Sequence, residues 1–428
     1  MNKLLLRTTA LVMSLPLLTL PVIAAVKPAK ELTPSIKLSG ETSFNMHGFK
    51  QDKTRENRGK GYGQHMEVAD SRVNVEIFQK LENYGGLECS GLIGLSGNAS
   101  NGNVQENRIK LKGEWGTLIF GNTRGPDDFA AVGGFAIMGA TGGFAGNFTS
   151  TINQTTGAVI TTDLAGRPKD ATKAIYVTPR IGGLQGVIGI TTDTTQKGDR
   201  KLESRNPGDA KSLPFDRNQL NLGVNFKETF NNGLDFKVSA TALSGNTRNP
   251  VSATTATVPM SHHKTKSYAL GIQLGYRNFE FGAEYINNGK SQVSKYRYAL
   301  DASGNNATFV PVTGADAGRA YDVAVGYAVN KKDKVSLGYY NSTRKIQSGY
   351  KKSKANIYSA TWDHKLGPGL GVYLEGNVVD MKNDNQTVKD QNDYKLAAGK
   401  AGLSSNDLAD GVGNNTMKGA IAGIKLKF

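Results

Sequence analysis

The chain has 428 residues, a formal net charge of +16, 52 glycines and one cysteine. A single cysteine excludes an intrachain disulfide, so backbone pairing and packing must hold the fold together. Lysine and arginine are spread along the chain without a basic arm or an aromatic stacking motif. This pattern argues against nucleic-acid binding and favours a surface of anionic lipid as the partner.

The N-terminus has the form of a secretory signal peptide. Lys3 and Arg7 precede an apolar stretch that is interrupted by prolines and ends in small residues, which fits cleavage better than retention as an anchor. We predict a signal peptide over residues 1–25 and one mature domain over residues 26–428. Beyond the signal, no uninterrupted apolar run reaches the roughly 20 residues that a spanning helix needs.

The clearest structural signal is a period of two in the apolar residues at the end of the chain. Between residues 418 and 428, apolar side chains occupy every second position, and Lys425 and Lys427 fall on the opposite face. A lysine in hydrocarbon would cost about 2–4 kcal/mol near the bilayer midplane, so both lysines must face a lumen or its rim. Residues 36–46 alternate in the same way, and we expect the two segments to be closure partners.

The same alternation continues through the chain and predicts an all-β fold, a transmembrane antiparallel β-barrel of about 16 strands. Short turns alternate with long polar segments, as in outer-membrane barrels. An even number of strands also closes without an unpaired edge in lipid. The predicted strands span residues 36–46, 71–81, 87–96, 107–115, 117–121, 173–178, 184–193, 218–227, 234–245, 265–276, 279–287, 320–329, 334–342, 356–365, 370–379 and 418–428.

The third long segment, residues 122–172, has an unusual composition. Its part from residue 129 to residue 146 is apolar but contains six glycines in eighteen residues. Glycine at that density makes a stable membrane helix unfavourable. We therefore predict a packed loop that folds into the barrel.

Alternation also assigns charged side chains to the inner face of two strands. Arg72 and Glu76 lie inward on the second strand, and Arg108, Lys110 and Lys112 lie inward on the fourth. Rows of opposed charges would orient polar solutes in a passage and disfavour apolar ones. Each of these charges could equally serve only to keep a water-filled lumen solvated.

Two stretches carry a resemblance to a known family. The chain ends Gly419-Ala-Ile-Ala-Gly-Ile-Lys-Leu-Lys-Phe428, and Trp115-Gly-Thr-Leu-Ile-Phe-Gly-Asn122 leads into the long third loop. In this strand order, the mature chain resembles the sixteen-stranded, trimeric general porins of Gram-negative bacteria. The resemblance implies a water-filled channel of the outer membrane for passive diffusion of ions and small hydrophilic solutes, without a cofactor or a metal.

The resemblance also implies roles for particular residues. In that family the third loop narrows the pore and its acidic residues face a basic wall, so Arg124, Asp127 and Asp128 are candidates for the constriction. The final aromatic residue, here Phe428, belongs to a signal that the barrel assembly machinery reads. A homotrimer in contact with membrane lipid and lipopolysaccharide is implied as well. The long third loop and additional strand lysines depart from the family, so the sign of ion preference stays open.

Two other functions remain as alternatives. A channel selective for sugars or anions would show saturable block by one solute. A barrel that acts as an adhesin or an enzyme is less favoured, since the five histidines lack metal-ligand spacing and no Gly-x-Ser-x-Gly motif is present. We therefore expect no enzymatic activity.

Overall fold

The structure is a computed structural model that describes residues 34–51, 61–97, 104–151, 163–195, 215–248, 261–300, 307–345, 348, 352–382 and 415–428. The predicted signal peptide, residues 1–25, lies outside the described residues. No helix within these ranges is long and apolar enough to cross a bilayer.

The chain folds into a closed antiparallel barrel of sixteen strands, and two further strands form a separate hairpin. The predicted fold is confirmed, and the hairpin lies within a segment for which no strand was predicted. The strands are β1 (Ser35–Gln51), β2 (Gly61–Leu81), β3 (Leu87–Ser96), β4 (Val104–Gly113), β5 (Gly116–Asn122), β6 (Thr172–Val177), β7 (Leu184–Asp193), β8 (Phe215–Thr229), β9 (Leu234–Arg248), β10 (Thr265–Tyr276), β11 (Phe279–Asn287), β12 (Tyr296–Leu300), β13 (Ala307–Pro311), β14 (Arg319–Ala328), β15 (Asp333–Arg344), β16 (Ser353–Gly367), β17 (Leu370–Lys382) and β18 (Asn415–Lys427).

Closure occurs between β1 and β18, as the matching alternation predicts. Phe44 pairs with Ile424 in the antiparallel register, and the pairing continues to the last residue of the chain. There the Gly40 N–H donates to the Phe428 carbonyl oxygen at 2.8 Å, and the Phe428 N–H donates back to the Gly40 carbonyl at 3.0 Å. Lys425 points inward and donates to the Ala140 carbonyl at 3.2 Å, which agrees with its predicted direction.

The two faces of the wall differ in chemistry along each strand. On β8, Leu222 and Val224 are exposed on the outer face, whereas Asn221 and Asn225 are buried on the inner face. Aromatic side chains collect near both ends of the outer face: Tyr268 and its neighbours lie near the long loops, and Tyr276 and its neighbours lie near the short turns. Eight residues separate these two tyrosines along β10, about 27 Å of strand, a length suited to a hydrocarbon layer.

The first hairpin is longer than the sequence predicts. β1 and β2 stay paired as far as Gln51 opposite Gly61, although residues 47–68 were expected to be a loop. Polar residues on the inner face stabilise the extension, because His47 lies 3.0 Å from the Glu67 carboxylate. The polar composition was therefore wrongly interpreted as a loop.

The hydrophobic core lies inside the barrel, between the third loop and the inner wall. Phe144 and Phe148 of the loop pack against inward-facing apolar side chains, which include Ile357, Met417 and Ile421. These inward positions are apolar because the loop covers them and removes them from water. The inner face of the strands after β8 is thus partly a protein core.

Ile93 and Leu92 are neighbours on β3 that offer a matched test of the two faces. Ile93 is 47% exposed on the outer face and Leu92 is 8% exposed on the inner face, opposite Glu76. We expect Ile93→Lys to lower the free energy of unfolding by about 2–4 kcal/mol, because its ammonium group would enter hydrocarbon. Leu92→Lys should cost less, since its ammonium group reaches the lumen. Urea unfolding in lipid vesicles measures both, and equal losses would contradict this orientation of the wall.

Candidate functional site

The third loop follows the inner wall strand by strand. A short helix near its start, α1 (Pro126–Ala130), packs against β7, β8 and β9. The 3-10 turn Gly134–Ala136 contacts β11 and β14, and the turn Gly143–Ala145 contacts β15, β16 and β17. The prediction that this loop folds into the barrel is therefore confirmed.

A band of inward-facing glycines makes room for the loop. A methyl group built on Gly282 would lie 2.6 Å from the Gly133 carbonyl oxygen, and one built on Gly338 would lie 2.6 Å from the Phe144 ring. Side-chain carbons do not tolerate such separations, so the loop backbone can approach the wall only where glycine stands. The band consists of Gly189, Gly223, Gly271, Gly282, Gly326, Gly338 and Gly419.

Three wall carboxylates bind the backbone of the loop. Each accepts at least one hydrogen bond from a loop N–H group, and Asp322 and Glu375 are buried. Hydrogen bonds from several donors allow a carboxylate to stay buried in the barrel. The pairs are Gly134 N to Asp322 Oδ1 (2.8 Å), Ala140 N to Asp363 Oδ1 (2.9 Å) and Thr141 N to Glu375 Oε2 (3.0 Å).

The acidic residues predicted for the loop side gather at its root around one arginine. The Nε atom of Arg167 lies 2.7 Å from Asp127 Oδ2, and the same guanidinium contacts Asp128 and Asp163. Asp127 is only 5% exposed and accepts a hydrogen bond from the Asn221 amide. The negative charge of the loop root is thus engaged by Arg167, which the sequence analysis did not identify.

The inward charges predicted on β2 and β4 meet on the wall beside this root. Arg72 and Arg108 bind the two oxygens of the Glu106 carboxylate, at 2.6 and 2.9 Å. Thr123, the first residue of the loop, donates its hydroxyl to the same carboxylate at 2.6 Å. Arg124 follows and is exposed. The structure therefore joins the wall to the loop through Glu106, which was missed because the predicted strand began one residue after it.

The same wall continues towards the short turns as paired charges. Lys110 lies 3.7 Å from Glu76, and Lys112 lies 2.9 Å from Glu88. With the Glu106 cluster, the four predicted cations, Arg72, Arg108, Lys110 and Lys112, share three carboxylates, Glu76, Glu88 and Glu106. The predicted basic residues are brought together, and each is paired with a carboxylate of the wall.

Comparison with a family model gives an independent result. Residues 8–386 match the model described as Gram-negative porin. Two uncharacterised proteins match over 242 residues: one from Rickettsia prowazekii at 26% identity and one from Rickettsia typhi at 27%. Each alignment covers 49% of this chain and 50% of the relative, so the chain spans about half the length of the curated relatives it matches.

Solved structures share the fold at low sequence identity. The anion-selective porin from Comamonas acidovorans matches with a TM-score of 0.54 and 16% identity, over 92% of this chain and 100% of that one. The trimer form of OmpT from Vibrio cholerae matches with a TM-score of 0.50 and 13% identity, over 92% and 99%. At these identities the likeness concerns the fold alone.

The glycine band predicts how the loop can be displaced. In Gly282→Ala the added methyl group meets the Gly133 carbonyl, so we expect the loop to move off the wall and single-channel conductance to change while the barrel stays folded. Gly91→Ala is the matched control, because nothing lies within 4 Å of its added carbon. Unchanged conductance in a folded Gly282→Ala variant, compared in planar bilayers, would contradict a loop held at contact distance.

Proposed function

The chain belongs to the Gram-negative porin family, and on that premise we propose that its diffusion channel weakly prefers small anions. The protein is an outer-membrane porin: a closed sixteen-strand barrel with a loop folded inside it. The family and the fold indicate a channel rather than an enzyme.

The balance of accessible charge supports the anion preference. On the wall of β2–β4, Arg72, Arg108, Lys110 and Lys112 share three carboxylates, those of Glu76, Glu88 and Glu106. On the loop, Asp127, Asp128 and Asp163 contact Arg167, whereas Arg124 is exposed. Wall carboxylates beyond β8, such as Glu375, are buried against loop N–H groups. We infer that the exposed Arg124 and the wall cations give the passage a weak preference for anions.

We place the constriction between the loop root and the β2–β4 wall. Arg124, Asp127 and Asp128 supply its loop side, and Arg72, Glu76, Arg108, Lys110 and Lys112 supply its wall side. Two observations support this assignment: Thr123 is bonded to the wall through Glu106, and α1 continues from there across β7–β9. The anion-selective porin from Comamonas acidovorans has the same fold, and we extend its anion selectivity to this chain as part of the proposal.

We further propose that three copies assemble in the outer membrane. A trimer form is known for one neighbour in fold, OmpT of Vibrio cholerae. Outer-membrane lipid and lipopolysaccharide would surround the apolar outer face, and the barrel assembly machinery would read Phe428. The Phe428 ring is 62% exposed on the outer face, where a partner can contact it.

Ion preference is testable through Lys110. Under a KCl gradient at low ionic strength, we expect the wild-type reversal potential to lie on the chloride side of zero. Lys110→Gln should move it towards potassium, because a lumen cation is lost and Glu76 keeps its charge. Low salt matters, since the screening length is about 10 Å at 0.1 M and about 30 Å at 0.01 M.

Lys418→Gln is the control for that measurement, because Lys418 is exposed on the outer face of β18. Its reversal potential should equal that of the wild type. A wild-type reversal potential on the potassium side would contradict the anion preference while leaving the channel itself in place.

The proposed role of Phe428 in assembly can be tested separately from its role in closing the barrel. Phe428→Ala keeps both backbone hydrogen bonds with Gly40, so refolding from urea into detergent should proceed as in the wild type. In cells, we expect less folded protein in the outer membrane, measured by heat-modifiable gel mobility. Leu426→Ala is the control, as Leu426 is also apolar and exposed on the outer face. Equal losses for both variants would assign the effect to general hydrophobicity.

A further inference from the structure

A group of basic side chains occupies the inner face near the short-turn end of β8 and β9. Lys227 and Lys237 are directly opposite each other in the antiparallel register. Both point inward, since they share the face of Asn225 and Ser239, which are buried inside the barrel. Like charges at directly opposite positions destabilise a strand pair, so this arrangement has a cost that another group must offset.

Arg180, in the turn between β6 and β7, adds a third cation to the same place. Its Nη2 atom donates to Asn225 Oδ1 and to Gln185 Oε1, both at 2.7 Å, and its Nη1 atom donates to the Gly183 carbonyl. The guanidinium is thus held in position by neutral acceptors. Asn225 is two residues from Lys227 on the same face, so the arginine lies beside the two lysines.

None of these three cations forms an ion pair with a carboxylate in the part of the chain that the structure describes. The nearest acid along the same face of β9, Asp235, accepts a hydrogen bond from Thr229 at 2.6 Å. Other lumen lysines near the short turns are different: Lys80 lies 2.9 Å from Glu82, and Lys334 lies 2.6 Å from Glu280. The group at β6–β9 therefore consists of three cations that no described carboxylate pairs with.

A buried donor without an acceptor lies next to these cations. Asn225 is 1% exposed, and its Nδ2 atom has no hydrogen-bond partner, although its Oδ1 atom accepts from Arg180. A buried donor in this state carries a free-energy cost unless an acceptor reaches it. Three cations without a paired carboxylate and one amide donor without an acceptor can all bind the same kind of ligand, an anion with several acceptor oxygens.

We propose that Arg180, Lys227, Lys237 and Asn225 form a second anion site, distinct from the constriction, that binds a small multivalent oxyanion of the phosphate class. Besides the N–H groups that it donates to neutral acceptors, the Arg180 guanidinium has N–H groups on Nε and Nη1, and the two ammonium groups act as point charges beside it. A monovalent chloride would leave most of these donors unused. The site faces the lumen, so its ligand is a dissolved solute that leaves or enters at the short-turn end.

This inference extends the proposed anion channel, and its test separates the two. Chloride current through the refolded channel is recorded in a planar bilayer while inorganic phosphate is added to one side at a time. We expect block at lower concentration from the short-turn side. In Lys227→Gln/Lys237→Gln the half-blocking concentration from that side should rise by about tenfold or more, because two charge-assisted hydrogen bonds are lost.

Lys80→Gln/Lys334→Gln is the matched control, since it removes two lysines that are paired with carboxylates at the same end. It should leave the phosphate block as in the wild type. Lys227→Arg/Lys237→Arg should retain the block, which excludes an effect of misfolding. Block that is equal from both sides, or that persists in Lys227→Gln/Lys237→Gln, would overturn the site. Conductance without phosphate tests the channel separately.

Discussion

Backbone hydrogen bonding in a medium without water is the constraint on which this structure depends. An unpaired N–H or C=O group in hydrocarbon costs several kcal/mol, so a sheet that crosses the membrane must close on itself. The β1–β18 seam meets this demand up to the last residue, where Gly40 and Phe428 exchange both hydrogen bonds. Closure gives the backbone groups of the wall their hydrogen bonds. Irregular backbone is then tolerated inside the barrel, away from lipid, where the third loop lies.

The loop meets the same constraint with side chains. Backbone N–H groups of its turns donate hydrogen bonds to the carboxylates of Asp322, Asp363 and Glu375 on the wall. A carboxylate buried in this place would be costly without those donors, and the N–H groups would be costly without the carboxylates. Loop and wall therefore depend on each other, and the apolar core that they share adds to their cohesion.

Period-two alternation predicted all sixteen barrel strands, because one face of each strand must be apolar wherever it meets lipid. It could not predict that Ile357 and Ile421 also point inward to an apolar core, since that follows from where the loop packs. The residues of the candidate site were also predicted only in part. Wall charges follow from alternation, but Arg167 meets Asp127 from forty residues further along the chain, and no local pattern encodes such a contact.

The glycine band has a consequence for how such a channel can diversify. The distance of the loop from the wall, and with it the width of the passage, is fixed by side-chain volume on strands between β7 and β18. The wall charges of the proposed constriction are carried by β2 and β4. If the constriction lies where we propose, size limit and charge preference reside on different parts of the sequence. A lineage could widen its channel without altering which ions it favours, or exchange its charges without altering its bore.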